Sequence, residues 1–122
     1  MVAAARGARE RDELVIMAVG DVFVNRKKPR SIFAKVAPLL RQGDVVMANL
    51  EGAICGSGEP VPGKVEFGSQ YIRSAPDQVE AYRSAGFNLM ALSNNHIMDY
   101  GWEGLSQTCL LYTSPSPRDQ RG

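Results

Sequence analysis

The chain has little of several residue types that would narrow its function. Of 122 residues, one is histidine and two are cysteine. Cys55 and Cys109 are too few and too far apart for a metal-binding spacing or a disulfide framework. Both are expected to stay reduced, as in a cytoplasmic protein. A strong charge of either sign is also missing: the formal net charge is +1. That gives no reason to propose nucleic acid as a partner. No apolar run approaches the roughly 20 residues of a membrane span. The N-terminus, "MVAAARGARERDELVIMAVG", places small and charged residues before a short apolar run. A signal peptide has a longer apolar stretch followed by a small-residue cleavage site. The expected location is therefore cytoplasmic, or extracytoplasmic if the native N-terminus is missing. Residues 1–12 read as a disordered leader.

What is present is an ordinary globular composition. Hydrophobic residues make up 44% and charged residues 22%, and the length suits one small domain. Three short apolar runs stand out: "LVIMAV" (14–19), "DVVMANL" (44–50) and "FNLMALS" (87–93). They read as strands buried on both faces of a parallel sheet. Between the first two, "SIFAKVAPLLRQG" carries apolar residues at helical spacing, interrupted by Pro38. A helical turn, a break and a second short turn are expected, closed by Gly43. Before the third run, Ser74 with Asp77 resembles a capping box. Pro76 suits a first helical turn, and Gly86 suits a helix end. The order strand, helix, strand, long loop, helix, strand predicts an α/β fold with a parallel sheet. The loop over 52–73 is long and rich in Gly and Pro, and loops of that length are often functional.

Each apolar run ends in polar residues. The first gives Asp21, the second Asn49 and Glu51, and the third "SNNH", with Asn94, Asn95 and His96. Ligands of open parallel sheets bind beyond the carboxyl ends of the strands. Three strands would thus bring acids, amides and one imidazole to a single crevice. These residues are either a polar turn or a set of ligands. As ligands they suit divalent ions such as Mn, Mg, Fe or Zn. The bland readings remain open beside this one. Asp21 after Gly20 could cap a turn, Asn94 reads as structural, and Asp99 reads first as the cap of a helix starting near Gly101. The run Arg26, Lys27, Lys28, Arg30 reads as a solvated loop, and Cys55 as a small loop residue. "GDVFVNR" is neither GxGxxG nor GxxxxGK, which argues against a nucleotide-binding domain.

"GDVFVNR" (20–26), "PLLRQGDVVMANLEG" (38–52) and "AGFNLMALSNNHIMDYGWEGL" (85–105) together resemble the bacterial capsule synthesis protein CapA family. That family is linked to poly-γ-glutamate synthesis and belongs to the calcineurin-like metallophosphoesterase superfamily. The resemblance covers roughly residues 14–108. It implies the N-terminal part of a calcineurin-like α/β sandwich, with a truncated capsule synthesis domain over 13–108. By the same resemblance, Asp21, Glu51, Asn49 and Asn95 would be metal ligands for two divalent ions. His96 would be the catalytic proton donor. Arg26 would meet an anionic polymer or phosphoester substrate. The superfamily's first motif has a histidine where this chain has Phe23, which bears against phosphatase-grade activity. Capsule synthase proteins are implied as partners. The implied function is a metal-dependent hydrolase in capsule polymer synthesis. The alternative is a non-catalytic member that binds polymer or scaffolds a synthase. Finally, "LLYTSPSPRD" resembles the translation of a sequencing adapter. Residues 109–122 are therefore expected to be a non-native tail without regular structure.

Overall fold

The computed structural model describes residues 13–64 and 70–113. Its main sheet has three parallel strands: β1 (Ile16–Val22), β2 (Val45–Leu50) and, at the far edge, β5 (Leu89–Ala91), in the order β1-β2-β5. Two more strands of two residues each, β3 (Ala53–Ile54) and β4 (Arg73–Ser74), pair in parallel within the expected long loop. Strands this short carry no readable period, so the sequence pattern could not reveal them. The α/β architecture with parallel crossovers is as the alternation of apolar runs implied.

The connection from β1 to β2 holds a 3-10 turn at Pro29–Ser31 and the short helix α1 (Ala37–Leu40), with Pro38 in its first turn. This is the broken helix that Pro38 dictates. The helix α2 (Val79–Ala85) follows a 3-10 turn at Pro76–Gln78 and ends at Gly86, whose φ is 103°. A side chain at that φ is strained, and a Cβ there would also meet Arg41 Cγ at 3.0 Å. The expected capping box is absent. Ser74 lies in β4, and its buried hydroxyl donates to the Val24 carbonyl at 2.6 Å. Ala75 is the residue at the cap position, without a side-chain bond. The hydroxyl is more valuable on a buried carbonyl, which would otherwise be left unsatisfied.

The core lies on one face of the sheet. Val46, Ala48 and Leu50 point inward from β2 and meet Tyr82 and Ala85 of α2, with Phe87 and Val24. Phe33 packs edge-on against Phe87 at 5.3 Å between centroids. The strands are not buried on both faces as expected. β2 alternates strictly between buried and half-buried positions. β1 is mostly exposed, with Ile16 at 62% and Val19 at 41%. The described helices cover only one side of the sheet, so a continuous apolar run here has one face open.

The last helix, α3 (Gly101–Thr113), lies against β3. Gly104 faces β3 without crowding it, and a Cβ there would meet Tyr100 Cβ at 2.8 Å, with Ala53 Cβ at 3.5 Å and Cys55 Sγ at 3.6 Å. Thr108 is buried and accepts from the Ile54 N–H at 2.9 Å. The expectation that structure stops at 109 is corrected here. α3 runs on to Thr113, Leu111 and Tyr112 pack against the core, and Tyr112 Oη donates to the Phe87 carbonyl at 3.1 Å. Residues 114–122 lie outside the described residues, as does the leader at 1–12.

Candidate functional site

The carboxyl ends of β1, β2 and β5 bring the polar residues together through a chain of side-chain bonds. In register, Ile16, Met17 and Ala18 pair with Val45, Val46 and Met47, but Asp21 pairs with Asn49. Val19 and Gly20 therefore oppose a single residue of β2. This extra residue is a bulge, and a bulge re-aims the side chains that follow it. It sets Asp21 directly beside Asn49, whose Nδ2 donates to Asp21 Oδ1 at 2.7 Å. Asn49 Oδ1 in turn accepts from Asn94 Nδ2 at 3.1 Å, and the same amide nitrogen donates to the Leu50 carbonyl at 2.8 Å. Asn94 Oδ1 accepts from the His96 N–H at 3.0 Å. Asn94 thus ties the end of β2 to the turn that carries His96, the structural role its residue type suggested.

His96 sits between two carboxylates. Its Nε2 is 3.9 Å from Glu51 Oε1, and its Nδ1 is 2.9 Å from Asp99 Oδ2. Asp99 is the residue whose weight the sequence pattern misjudged. Rather than serving α3 as a cap, its fully buried carboxylate takes the His96 ring, the Ile72 N–H at 2.8 Å on Oδ2, and Lys64 Nζ on Oδ1. Burial pushes the Asp99 carboxyl up. Hydrogen bonds from Lys64, His96 and the Ile72 N–H, with the charge of Lys64, outweigh that and hold it below the ordinary carboxylate value. An ionised carboxylate can only accept. A hydrogen bond between the ring and this carboxylate therefore runs from Nδ1–H to Oδ2, with Nε2 on the side of Glu51.

Lys64 went unnoticed in the sequence. It comes from the Gly/Pro-rich loop, 32 residues from His96, and no local spacing connects the two. The loop is anchored on the same residue a third time, by the Val61 N–H donating to the Asp99 carbonyl at 2.9 Å.

Not every candidate enters this group in the expected way. Asn49 was expected to offer a ligand oxygen. Its oxygen is taken by Asn94, and it presents its NH₂ to Asp21, so it holds that carboxylate in place. Asn95 is exposed and contributes its backbone carbonyl to Lys64 at 2.7 Å. Arg26 is exposed, and its backbone N–H and carbonyl are both bound by the Gln78 side chain. Among the described residues no hydrogen bond or ion pair joins the Arg26 side chain to Asp21, Glu51 or His96. Cys55 is buried and free, and burial pushes its thiol up, which keeps it inert.

The donor types present, two carboxylates and one imidazole nitrogen, suit a divalent ion in kind. Their number and arrangement do not. Among the described residues no group of three or more His, Cys, Asp or Glu is arranged to hold a metal ion. These residues alone do not make a two-ion centre.

A family model described as "Bacterial capsule synthesis protein PGA_cap" matches residues 15–113. The chain is 30% identical over 108 residues to a capsule biosynthesis protein CapA of Bacillus anthracis, covering 82% of this chain and 26% of that protein. It is 28% identical over 105 residues to a PGA biosynthesis protein CapA of Bacillus subtilis, covering 80% and 27%. An uncharacterized protein of Sinorhizobium fredii is 35% identical over 104 residues, covering 80% and 22%. The chain thus spans about a quarter of the length of these relatives. No described helix is long and apolar enough to cross a membrane.

Proposed function

Since the chain belongs to the bacterial capsule synthesis protein PGA_cap family, we propose that it forms part of a hydrolase of capsule or poly-γ-glutamate synthesis. Its substrate is an anionic polymer or a phosphoester. The observation that carries this reading is the convergence of three strand ends on His96, with Nδ1 held by buried Asp99 and Nε2 turned to Glu51 at 3.9 Å. A ring fixed at one nitrogen handles a proton at the other, which is the arrangement acid–base catalysis needs. Asp21 and Glu51 line the same edge and would orient the reacting group. Divalent ions as cofactors would require donors beyond Asp21, Glu51 and His96.

The test uses the full-length protein from the native reading frame, assayed on poly-γ-glutamate and on a generic phosphodiester, with and without added Mn²⁺. His96→Ala is expected to lower turnover by about 100-fold or more, the usual contribution of a positioned acid or base. Turnover unchanged in His96→Ala would overturn the proposal. A second reading is a polymer-binding or scaffolding member that works with capsule synthase proteins. It is favoured by Asn49, whose amide is committed to holding Asp21 rather than offering a lone pair. Polymer binding by the wild type without turnover would favour that reading.

A further inference from the structure

We infer that Lys64 is a positioning residue for His96. The inference rests on the reading of His96 Nε2 as the atom that handles the proton. Lys64 reaches three groups of the His96 turn at once. Its Nζ donates to Asp99 Oδ1, donates to the Asn95 carbonyl at 2.7 Å, and lies 3.1 Å from His96 Nδ1. The first contact places a positive charge against a carboxylate that is almost fully buried, and a buried charge persists only when it is paired. It also fixes the rotation of that carboxylate. With Lys64 on Oδ1 and the Ile72 N–H on Oδ2, the remaining lone pair of Oδ2 is directed at the imidazole. The second contact pins the backbone one residue before His96. Ring and main chain are thus set by one side chain, and that side chain belongs to the loop rather than to the sheet.

The same inference places the ring proton on Nδ1. Asp99 Oδ2 is the nearer partner of Nδ1, at 2.9 Å against 3.1 Å for Lys64 Nζ, and only the carboxylate can accept a proton from the ring. Lys64 directs its own protons to Asp99 and to Asn95. Without Lys64, the carboxylate would lose the partner that fixes its rotation, and the ring would exchange between its two neutral tautomers.

The chain contains a single histidine, so its two ring nitrogens give unambiguous ¹⁵N signals. In the wild-type 122-residue chain, above the pH range of imidazole titration, a fixed Nδ1–H tautomer is expected, with the two nitrogen shifts widely separated. In Lys64→Met the two shifts should move toward one another, while the methyl signals of Val46 and Leu50 in the core stay in place. Lys64→Arg, which keeps charge and donors, should restore the separation. An unchanged ring pattern in Lys64→Met would overturn the inference. So would an Nε2–H tautomer in the wild type, a measurement that stands even if the variant does not fold. The outcome is separable from the proposed function: a His96→Ala protein with full turnover would remove the catalytic reading and leave the ring result unaffected.

Discussion

Truncating Asp99 is expected to destabilise the domain more than almost any other single polar substitution. The side chain is 1% exposed and accepts from three donors: Lys64, the Ile72 N–H and His96 Nδ1. Asp99→Ala leaves all three behind. Breaking a buried ion pair by removing one partner costs about 3–5 kcal/mol. An orphaned backbone N–H costs about 1–3 kcal/mol on the same scale, although the two are not additive. Lys64 can relax, because its side chain is 17% exposed and can reach water. That places the expected loss near the lower end, about 3 kcal/mol. With a urea slope of about 1–3 kcal/mol/M, the unfolding midpoint should fall by about 1–3 M. Asp99→Asn keeps the shape and one acceptor oxygen and should cost less.

The pH dependence supplies a second reading of the same pair. The folded carboxyl is held below its ordinary value by Lys64, His96 and Ile72 despite burial. Its contribution is therefore fully present above the unfolded value of about 3.9. It is lost as pH falls through the lower, folded value. The stability gap between wild type and Asp99→Asn should be constant near neutral pH and narrow in acid. The assay is urea unfolding followed by far-UV circular dichroism at a series of pH values. An Asp99→Ala protein within about 0.5 kcal/mol of wild type, the range of an ordinary surface change, would refute the reasoning. So would a gap that does not change with pH.

Two further outcomes concern the sheet. Leu50 is fully buried at the end of β2, beside the site. Leu50→Ala should cost about 2–5 kcal/mol through lost burial and the cavity left behind, measured as a drop in the urea midpoint; a loss under about 1 kcal/mol would mean that the described core is not the folding core. Ile16 and Val19 of β1 are large, apolar and exposed, and exposed edge strands of this kind promote association. The Ile16→Lys, Val19→Lys double substitution should leave stability nearly unchanged and reduce self-association in size-exclusion chromatography with light scattering; a large loss of stability instead would show that these side chains are packed in solution.

The features that were legible in the sequence depend on near neighbours along the chain. The broken helix around Pro38, the stop at Gly86 and the three apolar runs are all set by residues within a turn or two of one another, and the structure has each of them. The polar strand ends were legible for the same reason, because Asn49 and Glu51 stand at the end of their apolar run. Burial was less legible. "VVMA" (45–48) is apolar throughout, yet Val45 and Met47 are only half-buried. A continuous run does not reveal how many of its faces other elements will cover. The resemblance of "LLYTSPSPRD" to an adapter translation says nothing of packing, and Leu111 and Tyr112 fall at core-facing positions of α3.

The partners of Asp99 could not have been read locally at all. Tyr100 and Gly101 follow it, and an acid just before a helix is commonly a cap. What redirects its carboxylate is the loop, which returns to supply the Val61 N–H, Lys64 and the Ile72 N–H from 38, 35 and 27 residues away. A cap bond to α3 would satisfy one exposed backbone donor, worth about 1 kcal/mol. The alternative is to leave Lys64 and the Ile72 N–H without this partner, which costs about 3 kcal/mol. The larger penalty decides the side chain's orientation. The orientation of His96 follows from it, because Asp99 Oδ2 is the hydrogen-bond partner of Nδ1 at 2.9 Å. In this chain the strands bring His96 to the cleft, and the loop determines which nitrogen faces Glu51.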